Sequence, residues 1–196
     1  LGDALMFSMS KVLLRELGVA TEVRGALNGA GTIASIAGAI AAGAWISRTS
    51  LARALLPISL LMAATEPLYL IIAGEALPVQ AAAAIGAPTA ALAALTPSVG
   101  LIAAILICEQ LFGGMATAAQ MVFLMRRCHP EHKAAHFAFA TALYSLAQTA
   151  SGTYSGVIYE AHGPIAYFAL ASLACAPCLL LLPGVPTDPV TAPGRA

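Results

Sequence analysis

The chain has 196 residues, of which 60% are apolar and 9% are charged, whereas a soluble domain has about 45–50% apolar and about 25% charged residues. So few charged side chains could not cover the surface of a soluble protein of this size, which excludes a soluble enzyme and a disordered protein. Nine basic residues balance nine acidic ones, so no net charge attracts a nucleic acid. The composition predicts an integral membrane protein.

Six apolar stretches have the length that a membrane-crossing helix needs, about 17–25 residues. They lack the alternation of polar and apolar residues that is typical of barrel strands. Apart from closed barrels, only helices satisfy all backbone polar groups in lipid. The predicted fold class is therefore all-α, a six-transmembrane-helix bundle. Spans one to six cover residues 1–17, 24–47, 54–74, 98–125, 134–159 and 164–182.

The two ends of the chain lead to separate expectations. Asp3 follows Leu1 with no basic segment before it, so the first span is not a signal peptide. We expect a longer protein in which this helix is already under way. Residues 183–196 contain four prolines and two glycines, which predicts a disordered tail.

The basic residues of two loops orient the chain in the membrane. The loops after spans two and four carry five of them: Arg48, Arg53, Arg126, Arg127 and Lys133. The positive-inside rule places both loops in the cytoplasm, and six spans then place both termini there as well.

Within residues 75–97, the stretch 79–95 is apolar and rich in alanine, but Gly86 and Pro88 interrupt it. A seventh crossing there would move the basic loop after span four to the other side of the membrane, against the charge rule. We interpret the segment as an external loop with some helix or a re-entrant piece. A seventh span is the alternative.

Glu109 is the most informative charged residue inside a span, because a charge at the bilayer centre costs roughly 2.5–3.5 kcal/mol on insertion scales. Helical spacing places Glu109 on one stripe with Gly113, Ala116 and Gln120. A polar stripe with small residues predicts a wall facing water or solute, on which Glu109 binds a proton or substrate. The alternative is a structural hydrogen bond to a neighbouring helix.

Three further charges lie within predicted spans. Asp3 in span one is placed well inside the membrane and is a candidate proton- or substrate-binding residue. Lys11 lies about 80° around the same helix, too far for a certain pair with Asp3, and it could snorkel or meet a partner outside this chain. Glu66 precedes Pro67, which predicts a kink and a structural role.

Spans two and five each carry a polar stripe with small residues. Span two has Asn28, Thr32 and Ser35 on one face. The stripe of span five comprises Tyr144, Gln148, Ser151 and Ser155. Small and hydroxyl side chains let helices approach closely, so both stripes are interpreted first as packing surfaces and second as cavity lining.

Two motifs carry little functional weight. Cys175 and Cys178 have redox-motif spacing but lie in an apolar span. His129, His132 and His136 straddle a short turn and lack the paired spacing of a metal helix. We expect no metal and no cofactor. No nucleophile or phosphate-loop motif appears in the sequence, so we do not expect the protein to be an enzyme.

Several segments resemble the carboxy-terminal half of AmpG-type muropeptide permeases, a branch of the major facilitator superfamily near the acetyl-coenzyme A transporters. Leu1-Gly2-Asp3-Ala4, Asn28 and the turn from Gly43 to Arg48 fit this pattern. The most specific segment runs from Cys108 to Ala119 and is similar to the family's E-N-L-C-G-G-M-G-T-S-A sequence. The resemblance covers about residues 1–182.

This resemblance implies a carrier of twelve to fourteen spans built from two six-helix halves, which imports anhydro-muropeptides with protons. It implies that spans one and four line the cavity, that spans two and five pack against the other half, and that spans three and six face lipid. The chain departs from the family at Lys11, at Gln120 and at Ala147-Gln148, where the family has G-R.

The resulting hypothesis is a secondary transporter of the bacterial inner membrane, half of a major facilitator fold. Its expected partners are a small solute, protons, the lipid bilayer and a missing amino-terminal half, with no nucleic acid. The candidate solute- or proton-binding residues are Asp3, Lys11, Asn28, Glu109, Gln120 and Gln148. A non-transporting membrane receptor or assembly subunit is the alternative.

Overall fold

The structure, a computed structural model, describes residues 2–86, 88 and 98–188. Every regular element in these ranges is helical. In chain order the α-helices are α1 (Gly2–Glu16), α2 (Thr21–Arg48), α3 (Leu51–Thr65), α4 (Leu68–Ala84), α5 (Val99–Arg127), α6 (Lys133–Leu173) and α7 (Ala176–Leu181). Short 3₁₀ turns cover Pro130–His132 and Leu182–Gly184.

Within the described ranges, four helical stretches are long and apolar enough to cross a membrane. They are Thr21–Arg48, Leu51–Pro78, Val99–Arg127 and Pro130–Gly184. The last has 55 residues, more than twice what one crossing needs. Gly163 interrupts it with φ 78° and ψ 171°, a conformation that glycine adopts without steric cost, and Pro164 follows. This interruption falls in residues 160–163, between the predicted spans five and six.

The predicted kink after Glu66 is confirmed. α3 ends at Thr65 and α4 begins at Leu68, because Pro67 has no N–H to continue the helical ladder. Tyr69 N–H donates to the Glu66 carbonyl oxygen at 3.1 Å, a tighter turn than an α-helix makes. α4 then continues to Ala84, ten residues beyond the predicted end of span three. The predicted loop is helical up to that point, and its residues 87 and 89–97 lie outside the described ranges.

α2 and α5 form a close helix crossing. A Cβ atom on Gly38 would overlap the Leu111 carbonyl oxygen, and one on Gly114 would overlap the Ser35 carbonyl oxygen. Glycine at both positions lets the two backbones touch, as small residues do in membrane helix pairs. The crossing fixes which face of α5 turns towards α2.

Two apolar clusters meet along α5. Ile102 and Ile105 belong to the cluster that α5 forms with α1, α4 and α6. Met115 and Ala119 belong to the cluster that it forms with α2 and α3. Glu109 lies between these two pairs in sequence, and its side chain is buried.

Candidate functional site

Glu109 is a buried carboxylate with two neutral hydrogen-bond donors. Its side chain is 5% exposed. The Gln110 side-chain amide donates to Glu109 Oε2 at 2.9 Å. The Tyr69 hydroxyl donates to the same oxygen at 3.5 Å, the long limit of such a bond. No basic residue is among these partners, so Glu109 is held by dipoles rather than by an ion pair.

Glu66 and Asp3 lie close to Glu109. Glu66 is 1% exposed, and both of its carboxylate oxygens lack a hydrogen-bond partner among the described residues. The carboxyl groups of Asp3 and Glu109 are near enough to act on it electrostatically, and the Cys175 thiol, a weak donor, is its neighbour. Asp3, Glu66 and Glu109, from α1, the turn between α3 and α4, and α5, are thus near enough for their charges to interact, and we name these three carboxyl groups the acid cluster.

Gly2 brings Asp3 into this cluster. A Cβ atom on Gly2 would overlap the Cys175 sulfur, and it would also come too close to the Ala171 carbonyl oxygen. The first turn of α1 consequently packs directly on the end of α6, next to Cys175. The Asp3 side chain is half-buried there.

A cavity of about 330 Å³ lies between α1, α2 and α5. Apolar walls come from residues such as Phe7, Leu14 and Leu106. The polar lining residues are Ser10, Lys11, Thr21, Arg24, Asn28 and Gln110. Concave sites with apolar walls and a few convergent polar groups are typical of small-molecule binding.

Two cations face this cavity. The Lys11 ammonium nitrogen lies 5.0 Å from the centre of the Phe7 ring, a cation–π contact. Arg24 Nη2 donates to the Thr21 hydroxyl at 2.9 Å, while Arg24 Nε is buried and has no acceptor in the part of the chain that the structure describes. No carboxylate is among the described lining residues.

Gln110 connects the cavity to the acid cluster. Its side chain lines the cavity and also donates to Glu109. A single hydrogen bond thus separates a group that a bound solute could touch from a buried carboxylate. Neither Gln110 nor Arg24 is among the candidate residues predicted from the sequence. The signal for Gln110 was its polarity next to Glu109 inside an apolar span.

Comparison with curated proteins agrees with the resemblance seen in the sequence. The anhydromuropeptide permease of Escherichia coli strain K12 is 29% identical over 184 residues, which cover 93% of this chain and 33% of that protein. The protein of the same name from Escherichia coli O157:H7 matches equally. The chain resembles an anhydromuropeptide permease. It spans about a third of the length of these curated relatives.

Two other comparisons add no relative. No protein-family model matches the chain, and no solved structure matches it. The likeness to the anhydromuropeptide permeases therefore rests on sequence identity.

The structure separates the candidate residues that the sequence selected. Lys11 and Asn28 line the same cavity, and Asp3 and Glu109 share the acid cluster. Gln120 and Gln148 are half-buried and are not among the described residues around the cavity. The resemblance to the permeases put little weight on Glu66, as part of a lipid-facing span. Its burial next to Asp3 and Glu109 does not fit that placement.

The inner part of the polar stripe of span five lies at a packing seam between α6 and α1. Gln148 Nε2 donates to the Tyr144 hydroxyl at 2.7 Å. Ser151 and Ser155 are buried. The Tyr167 hydroxyl lies 2.9 Å from Ser155 Oγ and donates to the Leu5 carbonyl oxygen of α1 at 2.7 Å. These contacts support the packing interpretation for the inner part of the stripe.

The histidine and cysteine motifs do not form a recognisable metal site. The rings of His129, His132 and His136 lie 6.2–6.4 Å apart. Among the described residues, no group of three ligating side chains is arranged to hold a metal ion. Cys175 and Cys178 are free thiols.

Proposed function

We propose that this chain is one half of a proton-coupled secondary transporter of the bacterial inner membrane. The single observation that carries the proposal is the path from the cavity through Gln110 to the buried carboxylate of Glu109. Buried carboxylates in membrane proteins generally serve ion or substrate pathways. The similarity to the anhydromuropeptide permeases supports transport over catalysis.

The proposed architecture is a half of the major facilitator fold with six crossings. α1, α2 and α5 supply three of them, α3 and α4 together supply one, and the two parts of α6 on either side of Gly163 supply two, the second extended by α7. The basic loops around Arg48 and Arg126 then lie in the cytoplasm together with both termini. An amino-terminal half of six crossings completes the carrier.

The acid cluster is the proposed proton-binding element. Like charges repel strongly in a low-dielectric interior, so Asp3, Glu66 and Glu109 hold at least one proton between them. Solute entering the cavity displaces water around Gln110 and changes the hydrogen bond that Gln110 offers to Glu109. Occupancy of the cavity thereby alters how firmly the cluster binds its proton.

The remaining candidates have solute-contacting or interfacial roles in this proposal. Lys11 and Asn28 contact the solute, since both line the cavity. Gln120 and Gln148 form hydrogen bonds at the seam where the other half packs, because neither lies at the cavity. Rocking of the two halves about a site near the midplane then exposes the solute to each side in turn.

The proposed cargo is a muropeptide released from the cell wall, or a solute of similar chemistry. The printed name of the curated relatives supports this choice. The chain is 29% identical to these relatives over a third of their length, so the cargo is tested separately from transport. Competition by simple sugars and by free peptides against labelled anhydro-muramyl tripeptide identifies the moiety that is recognised.

Glu109→Gln in the intact gene product tests the coupling. The variant keeps the shape and a hydrogen-bonding group but cannot release a proton. We expect uptake of the labelled tripeptide into proteoliposomes, driven by an inward proton gradient, to fall at least about tenfold. A positioned proton-transfer group contributes at least that factor. Solute exchange without a gradient should persist.

Glu160→Gln is the matched control, since Glu160 is exposed at the end of span five. It should transport as the unmodified protein does. Gradient-driven uptake that survives Glu109→Gln unchanged would remove the proposed role of Glu109. Binding of the tripeptide without any uptake by the unmodified protein would favour a receptor instead.

A further inference from the structure

The charge on the walls of the cavity between α1, α2 and α5 is one-sided. Lys11 and Arg24 contribute two positive charges, and the described lining residues contribute no negative one. Cations placed away from bulk water are costly unless an anion or several acceptors satisfy them. Lys11 is exposed and Arg24 is half-buried, so Arg24 with its buried Nε is the cation that most needs an acceptor, and none of the described lining residues supplies an anion.

The geometry points to an anionic oxygen group, a carboxylate or a phosphate of the solute, as the missing partner. We propose that Lys11 and Arg24 bind this group in the cavity. The inference rests on the proposed function only in taking the anion to be part of the cargo. Arg–oxyanion and Lys–oxyanion hydrogen bonds are charge-assisted and are among the strongest that a protein makes.

Arg24 has unused donor capacity. Its guanidinium presents five N–H donors, of which one, on Nη2, is given to the Thr21 hydroxyl. Its Nε is buried and unpartnered among the described residues. Thr21 is neutral and leaves the charge uncompensated, so an oxyanion is the group that would satisfy both the charge and the free donor.

The amino-terminal turn of α2 adds to the same field. Thr21, Arg24 and Gly25 of this turn line the cavity, and no side chain caps the helix at Ala20. Free N–H groups and the positive end of the helix dipole favour an anion at such a position. Glu22 lies in the same turn, but it is exposed and does not line the cavity.

The neutral polar residues of the cavity complete the site. Asn28 supplies an amide on α2, and Gln110 supplies one on α5 that already contacts Glu109. A volume of about 330 Å³ is at the low end for small-molecule sites. It accommodates a charged group and its neighbouring atoms, with the rest of the solute extending out of the cavity.

The test compares two labelled probes on the intact gene product in proteoliposomes: anhydro-muramyl tripeptide with free carboxylates, and the same compound with every carboxylate amidated. The variants are Lys11→Gln and Arg24→Gln. Arg53→Gln and Lys133→Gln are the controls, because both residues are exposed and lie outside the cavity. Lys11→Arg and Arg24→Lys retain the charge.

We expect KM for the free-carboxylate probe to rise about tenfold or more in each glutamine variant, the usual effect of losing one charge-assisted hydrogen bond. KM for the amidated probe should stay within about twofold, and the charge-retaining variants should recover most of the affinity. An equal rise for both probes, or no rise, overturns the proposal. So does an unmodified protein that takes up the two probes equally well, a comparison that needs no variant to fold.

Direct binding distinguishes failure of this site from failure of the transport proposal. Inorganic phosphate should raise the thermal midpoint of the unmodified protein and of Arg53→Gln, but not that of folded Lys11→Gln or Arg24→Gln. If this holds while no uptake occurs, the anion site stands and the transport proposal falls. If proton-driven uptake proceeds but neither phosphate nor the free-carboxylate probe binds through these cations, transport stands and the anion site falls.

Discussion

The contact between α2 and α5 gives a sharp test of the packing. Gly38→Ala adds a Cβ atom that would overlap the Leu111 carbonyl oxygen and lie 2.9 Å from the Leu111 carbonyl carbon. Ordinary Cβ contacts begin at 3.4 Å. The atoms that the new Cβ would meet belong to the backbone of α5 and cannot rotate away, so the two helices must separate.

Two opposing effects set the expected change in the free energy of unfolding of Gly38→Ala. Overpacking a well-packed contact costs typically about 1–3 kcal/mol, while replacing glycine by alanine inside a helix gains up to about 1 kcal/mol. A net loss of about 1–2 kcal/mol is expected at Gly38. Gly43 lies on the same helix with no atom within 4 Å of its added Cβ. Gly43→Ala should therefore be neutral or slightly stabilising.

The assay is the thermal midpoint of the intact gene product in detergent. A change of 1 kcal/mol shifts the midpoint by about 2–4 °C for a unit of this size, so Gly38→Ala should lower it by about 2–8 °C relative to the unmodified protein. The double variant Gly38→Ala/Gly114→Ala should lose less stability than the two single variants lose together, because one separation of the helices relieves both overlaps. Equal midpoints for Gly38→Ala and Gly43→Ala would refute the close crossing.

Three further predictions follow from single contacts. Tyr167→Phe should destabilise the protein by about 0.5–1.5 kcal/mol in thermal unfolding, because it removes the hydrogen bond from the buried hydroxyl to the Leu5 carbonyl oxygen of α1; a change under about 0.3 kcal/mol would contradict the seam. Gln110→Leu should preserve the fold but lower gradient-driven uptake while exchange persists, as expected for Glu109→Gln; gradient-driven uptake equal to that of the unmodified protein would exclude Gln110 as the link. Gly163→Ala should cost about 1–2 kcal/mol because φ is positive there, whereas helical Gly156→Ala, with open space around it, should not; equal midpoints would contradict the kink.

The sequence predicted the candidate site only in part. Lys11 and Asn28 were selected as polar residues in apolar spans, and both line the cavity. Arg24 was not selected, because periodicity does not show that the first turn of α2 faces α1. Gln120 shares a stripe with Glu109, yet it lies eleven residues further along α5, roughly 16 Å of helix. A stripe identifies a face of a helix but not the depth at which a neighbour leaves space.

The glycines of span two show the same limit on what a sequence pattern can predict. Their spacing predicted a packing surface, and small residues at helical intervals are a property of the sequence. The structure assigns the backbone contact to Gly38, while Gly29 and Gly43 have no atom near an added Cβ. Which glycine touches a partner depends on the crossing point, and that point is set by side chains on α5.

The sequence by itself determined the membrane class, the helical content and the positions of the breaks at Pro67 and Gly163. These are local properties: apolar composition over a helix length, a missing N–H, and a tolerated positive φ. Only the tertiary structure decided that Glu66 lies beside Asp3 and Glu109, and that Lys11 and Arg24 share one cavity. The proximity of such residues depends on the rotation of each helix and on the helix against which it packs. Side chains that are far apart along the chain jointly fix both.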